Sequence, residues 1–175
     1  MYRGVAPGAS LLIGKVCTGN GLCDLSSVLA AMEWASTEEH AEVVNRSMGG
    51  QDQPGDDPIE QTINRLTDQN GTLFVLGSGN NGQGRQQTVA SPSTAEAALS
   101  VGAVDGNDVV SPFSGRGPRF GDHAIKPDLT APGVGIVAAR SKDGTLGTPG
   151  ELRMPGTGTS MSSPHVAGAA APATS

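Results

Sequence analysis

The sequence predicts an α/β fold, a mostly parallel β-sheet with helices over both faces, and three observations carry that reading. Short aliphatic runs alternate with stretches of helical periodicity between residues 10 and 76, giving the strand, helix, strand, helix, strand order of right-handed crossovers. The chain has 175 residues, enough for one domain with its own core and too few for two ordinary ones. Its 26 glycines and 12 prolines stand beside an aromatic content of only 3%, so the core must be aliphatic and the backbone tightly turned.

The elements follow in order. Ser10–Val16 is an aliphatic run that stops at a Cys/Thr/Gly/Asn loop, as a buried strand would. Leu25, Val28, Leu29 and Met32 fall on one helical face, with Asp24 or Ser26 as the cap. Val43–Met48 returns to strand character and stops at Gly49-Gly50. Asp56-Asp57-Pro58 starts a second helix, because an acidic cap precedes a proline whose missing N–H is harmless in the first turn. Ile59, Ile63 and Leu66 form its apolar stripe, and Asn70-Gly71 closes it. Thr72–Leu76, Ala97–Val104 and Gly135–Arg140 read as further strands, and the Gly/Pro-rich region from Ser111 to Pro132 reads as loops. Thr159–Ala171 is rich in Ala and Gly, which suits a helix packed closely against other backbone and ended by Pro172.

Composition excludes several classes. A net charge of −6 with no Lys/Arg cluster repels a phosphate backbone, so nucleic acid is not an expected partner. The longest apolar stretches, Ala9–Ile13 and Val166–Ala171, fall far short of the ~20 residues that span a bilayer. Met1–Pro7 does not read as a secretory signal, because no sustained apolar region with a small-residue cleavage site follows the basic residue, so the signal of a secreted protein is expected outside these residues. Cys17 and Cys23 can be two thiols or one small disulfide, and a pair supplies only half the ligands of a structural zinc site. Gly77–Gly82 (GSGNNG) matches G-x-G-x-x-G after a strand, which raises nucleotide binding as a weak alternative. The helix that must follow to hold a pyrophosphate is missing, because Gln83–Pro92 has no helical stripe.

Chemistry points instead to Gly156–Gly168 (GTGTSMSSPHVAG), where a glycine-rich turn enters the last helix. A serine there has an unpaired backbone N–H at the positive end of a helix dipole, and small neighbours let a carbonyl approach its hydroxyl. Read alone, the same residues could be a plain Ser/Thr cap.

This run resembles the nucleophile signature G-T-S-M-x-S-P-H-V-A-G of the subtilases, the subtilisin-like serine proteases. Gly4–Ala9 resembles the family's G-V-A-P-x-A stretch, Asn45–Gly50 its N-x-S-L-G-G strand end and Leu76–Asn80 its A-A-G-N segment. Phe113–Pro118 resembles the F-S-S-x-G-P loop and Asp128–Gly133 the D-x-x-A-P-G loop, all in the family's order.

The resemblance implies a three-layer αβα subtilisin-like domain over residues 1–175, incomplete at its N-terminus, and a secreted, extracellular serine endopeptidase acting on proteins or peptides. It makes Ser160 the nucleophile and Asn80 the oxyanion-hole donor. Ser47, Met48 and Gly49 would pair with substrate as an added strand and, with Gly77, Ser78 and Gly79, wall a roomy apolar pocket for the residue before the cut. No cofactor is needed for this chemistry. The family habit of binding calcium implies a structural ion, for which the acidic loops Asp52–Asp57 and Asp105–Asp108 define no ligand set.

The family's upstream aspartate motif and its G-H-G-T-H-type histidine helix are not in this sequence. His165 lies five residues after Ser160, a rotation of about 140° on a helix, so it faces away from the hydroxyl. His40 and His123 read as loop histidines. The expectation is therefore a chain nearly inactive by itself, with a non-catalytic peptide-binding or pseudo-protease module as the alternative. Arg46 stands at a predicted buried strand position where the family has an apolar residue, and a guanidinium there needs a partner.

Overall fold

The computed structural model describes residues 3–52, 57–144 and 146–171. Its helices are α1 (Leu25–Glu33), α2 (Pro58–Asn70) and α3 (Thr159–Ala170). Its strands are β1 (Val43–Arg46), β2 (Leu73–Gly77), β3 (Leu99–Val104), β4 (Leu129–Pro132), β5 (Ile136–Ala139) and β6 (Arg153–Gly156). Strands β1 to β4 form one parallel sheet in chain order, and β5 and β6 form a separate antiparallel ribbon.

Side-chain alternation along β2 builds the layers. Phe74 and Leu76 point to one face, where they pack with Val28 and Met32 of α1 and Ile63 and Leu66 of α2. Val75 points to the other, where it meets Val101 and Ala131, with Val166 and Ala167 of α3 packed against them. With α3 lying across all four strands, the result is the three-layer αβα arrangement the sequence predicts.

Helix α2 is bounded by the residues expected to bound it. The Asp57 carboxylate accepts the Ile59 N–H at 2.8 Å, Pro58 takes the first turn, and Gly71 closes the helix at φ +73° with its N–H on Thr67 O at 2.9 Å. Asp56 and Pro172 lie outside the described residues. Helix α1 has Asp24 at its cap position without a side-chain bond and continues as a π-helical turn over Trp34–Glu38.

Two expectations need correction. Ser10–Val16 is not a strand: it has no ladder partner, Leu11 and Ile13 are each 81% exposed, and only Val16 packs against the core. An apolar run identifies a buried strand only when a neighbouring strand covers it, and the outer edge of β1 is unpaired among the described residues. The region read as loops contains β4, whose four residues pair with Val101–Val104. Gly135–Arg140, read as a strand, holds β5, which pairs with β6 in the antiparallel ribbon. Cys17 and Cys23 form a disulfide, which settles the choice that their spacing left open.

Candidate active site

The register that pairs Arg46 with Leu76 brings the carboxyl ends of β1 and β2 out side by side, so Ser47–Gly49 and Ser78–Asn80 emerge from the same edge. This is where ligands bind in open α/β sheets. The amino end of α3 is docked between them. Its carbonyl at Thr159 fills the space a Gly77 side chain would need, since a Cβ there would lie 2.9 Å from Thr159 O.

The start of α3 is capped from another element. Gly158 holds the N-cap position and has no side chain to offer, and Asn80 supplies the missing acceptor: its Oδ1 takes the Thr159 N–H at 2.9 Å and the Thr159 hydroxyl at 3.2 Å. The Gly79 N–H in turn donates to Thr159 Oγ1 at 3.1 Å. Because a backbone N–H can only donate, the Asn80 carbonyl oxygen must face Thr159, and its amide nitrogen turns outward. Among the described residues no hydrogen bond occupies Asn80 Nδ2 or the Ser160 N–H.

Ser160 and Ser47 are tied reciprocally. The Ser160 hydroxyl donates to Ser47 O, and the Ser47 hydroxyl donates to Ser160 O, both at 3.2 Å. Pro164 explains why that carbonyl is available: it lies inside α3, four residues on, and lacks the N–H that would otherwise bond Ser160 O. The Ser163 hydroxyl completes the chain at 2.9 Å from Ser47 Oγ.

The segments at Gly49 and Gly79 are laced to their neighbours by backbone. Gly50 N–H donates to Ser91 O and Ala90 N–H to Ser78 O, both at 2.9 Å. A Cβ on Gly49 would lie 2.6 Å from Ser91 O, and one on Gly79, at φ +93°, would lie 2.7 Å from the Ala90 Cβ. Ser78 is fully buried with its hydroxyl on Gly115 O at 3.3 Å, so its side chain supports the wall from behind. Arg46 meets the need foreseen for it: Nη1 donates to Met48 O at 2.7 Å. Burial lowers its pKa, the charge of Asp57 opposes that shift, and Nε stays unpartnered. Met48 O is thus taken, and the backbone N–H and C=O of Gly49 have no hydrogen bond among the described residues.

None of the three histidines contacts Ser160. His165 Nδ1 donates to Met161 O at 2.7 Å, His123 lies 3.4 Å from the Gln87 amide, and His40 lines a surface cleft beside Asn70 and Leu73. No cluster of three or more His, Cys, Asp or Glu side chains suited to a metal lies among the described residues. None of their helices is long and apolar enough to cross a membrane. The Gly77–Gly82 segment is not followed by a helix, and Gly82 serves packing, since a Cβ there would collide with Ser114 O at 1.9 Å.

The sequence matches the subtilase family over residues 2–175. The chain belongs to the subtilases. Its relatives include the serine protease AprX of Bacillus subtilis (strain 168), 32% identical over 97% of this chain and 43% of that protein. Subtilisin DY of Bacillus licheniformis is 34% identical over 96% of this chain and 55% of its own length. The chain thus spans about half the length of the curated relatives it matches. Among solved structures, the prenylagaramide maturation protease PagA superposes with a TM-score of 0.69 at 26% identity, covering 86% of this chain and 49% of PagA.

In this subtilase the segments expected from the sequence, Ser47–Gly49, Ser78–Asn80 and the start of α3, meet at one edge of the sheet, and the residues that support them carry little sequence signal. Ala90, Ser91, Ser163 and Pro164 act through backbone spacing and hydroxyl bonds, which leave no periodic signal; the proline inside a helical stretch was the one visible sign. Ser162 is a local misfit. Its Oγ is buried without a hydrogen-bond partner. Ser162→Ala is expected to stabilise the fold by about 1 kcal/mol, seen as a higher urea midpoint.

Proposed function

We propose that this chain builds the nucleophile and acyl-binding half of a secreted subtilase endopeptidase site. The observation that carries the reading is the cap: Asn80 spends its carbonyl on Thr159 and leaves Nδ2 and the Ser160 N–H as two unoccupied donors flanking the nucleophile. A peptide in the groove would lie extended along Ser47–Gly49, pairing with Gly49. Its apolar side chain before the cut would lie against the wall made by Ser47–Gly49 and Gly77–Gly79. Ser160 Oγ would leave Ser47 O and attack the scissile carbonyl carbon. The oxygen, gaining charge, would be held by Asn80 Nδ2 and Ser160 N–H, which stabilise it more than the ground state. The carbon–nitrogen bond breaks, the amine departs with a proton, and water releases the acyl group.

The serine proton needs a base, and in the whole protein a histidine oriented by a carboxylate, outside these 175 residues, would take it. No cofactor enters these steps, and a structural calcium ion is assigned to no residues. The second reading, a peptide-binding module without turnover, is favoured by the position of the three histidines, of which His165 bonds Met161 O, His123 lies beside the Gln87 amide and His40 lines a cleft beside Asn70 and Leu73. Both readings require the groove. A fluorescently labelled, extended apolar hexapeptide is expected to bind, and the same peptide N-methylated where it would pair with Gly49 is expected to bind at least about tenfold more weakly. Equal affinity for the two peptides, read by anisotropy, would remove the groove from the account.

A further inference from the structure

We propose that the Cys17–Cys23 disulfide is a removable support for Met48, so that its reduction weakens peptide binding at the groove without unfolding the chain. The inference rests on the groove reading above. Met48 is the middle residue of the peptide-binding segment. Arg46 holds its carbonyl, Gly50 anchors the next turn on Ser91, and its side chain is seated on the disulfide, with Sδ 3.6 Å from Cys17 Sγ and 3.7 Å from Cys23 Sγ. With the sulfurs bonded to each other there is no S–H to donate, and these are van der Waals contacts between polarizable atoms.

Besides the bond, the ring is held by hydrogen bonds within its own loop, among them those of the Thr18 hydroxyl to Leu22 O at 3.1 Å and to Asn20 Oδ1. Between the cysteines lie Thr18, Gly19, Asn20, Gly21 and Leu22, all exposed, with Gly21 at φ +83°. The backbone adds Thr18 N–H to Leu22 O at 2.8 Å and Gly21 N–H to Thr18 O at 3.0 Å. On one side Val16 packs against the core, and on the other α1 begins at Leu25. Opening the bond therefore returns freedom to the loop between two fixed ends and removes the seat under Met48. Cys23 is exposed and Cys17 partly so, which leaves the bond open to an external dithiol. A thiolate of the dithiol attacks one sulfur to give a mixed disulfide, and its second thiol displaces the protein. The protein is reduced to two thiols as the dithiol is oxidised to a disulfide, and two hydrogens are transferred.

The test uses the intact chain, oxidised or treated with dithiothreitol, with the labelled apolar hexapeptide as probe and intact mass to confirm reduction. The reduced chain is expected to bind at least about fivefold more weakly with its far-UV circular dichroism unchanged. Met48→Ala should weaken the oxidised chain similarly and make its affinity insensitive to dithiothreitol, and Cys17→Ser/Cys23→Ser should match the reduced chain. Equal affinity of oxidised and reduced chains would overturn the support while leaving the groove intact. Loss of the circular dichroism signal on reduction would overturn a local role, and absence of binding by the oxidised chain would overturn the groove reading and this inference with it.

Discussion

Asn80→Ala is expected to slow phosphonylation of Ser160 by a fluorophosphonate by about 10²- to 10³-fold, roughly 2.7–4 kcal/mol, the magnitude known for the equivalent loss in subtilisin itself, a member of the same family. The substitution removes two things at once. It deletes the Nδ2 donor, and it uncaps α3 by deleting the acceptor of the Thr159 N–H. Loss of the cap costs about 1 kcal/mol of stability. Asn80→Asp separates the two effects, because a carboxylate keeps the acceptor at the positive end of the helix and loses the donor. It should melt close to the parent and label as slowly as the alanine variant. An aspartate variant that labels at the parent's rate would contradict the oxyanion role and leave Asn80 as a cap.

Gly115→Ala is expected to cost about 3 kcal/mol of stability, at the upper end of what overpacking usually costs. A Cβ at this position would lie 2.1 Å from Ser78 O and 2.9 Å from Ser78 C. Neither can yield easily: Ser78 O accepts the Ala90 N–H and Gly115 N–H donates to Gly79 O, so moving one strand of backbone strains the other. Ser78 and Gly79 lead directly into Asn80, so the remaining folded protein should also label more slowly at Ser160. A fall in the urea midpoint equivalent to less than about 1 kcal/mol would show that this packing is softer than the distances imply.

The parts of the fold that were legible in the sequence are those with local chemistry. Asp57-Pro58 and Gly71 bound α2 because capping and left-handed backbone are written in single residues. The turn into α3 was legible through its resemblance to the subtilase signature, because a glycine-rich run before a small-residue helix, read alone, could equally be a plain cap. What escaped depends on distant partners. Leu11–Ile13 has the composition of a strand and no strand beside it, whereas β4, four residues ending in Pro132, is a strand because Val101–Val104 offers it a ladder. Strand β6 contains Pro155 and Gly156, poor strand formers, and exists as the partner of β5. At the site, the roles proposed for Ser160 and Asn80 come from the family resemblance of their motifs. That Asn80 caps α3, and that Pro164 frees a carbonyl for Ser47, required the spatial meeting of segments some 80 and 113 residues apart.

The measurement that tests the central claim most directly is intact-mass and peptide-mapping analysis of the folded chain after fluorophosphonate treatment, beside Ser160→Ala and the urea-unfolded chain. A site that lacks triad members still retains about 10³- to 10⁴-fold over water from its oxyanion donors and binding groove. The account therefore predicts a single slow adduct on Ser160, faster than in the unfolded chain and absent from Ser160→Ala. An adduct that persists in Ser160→Ala, or labelling of the folded chain no faster than of the unfolded one, would contradict it.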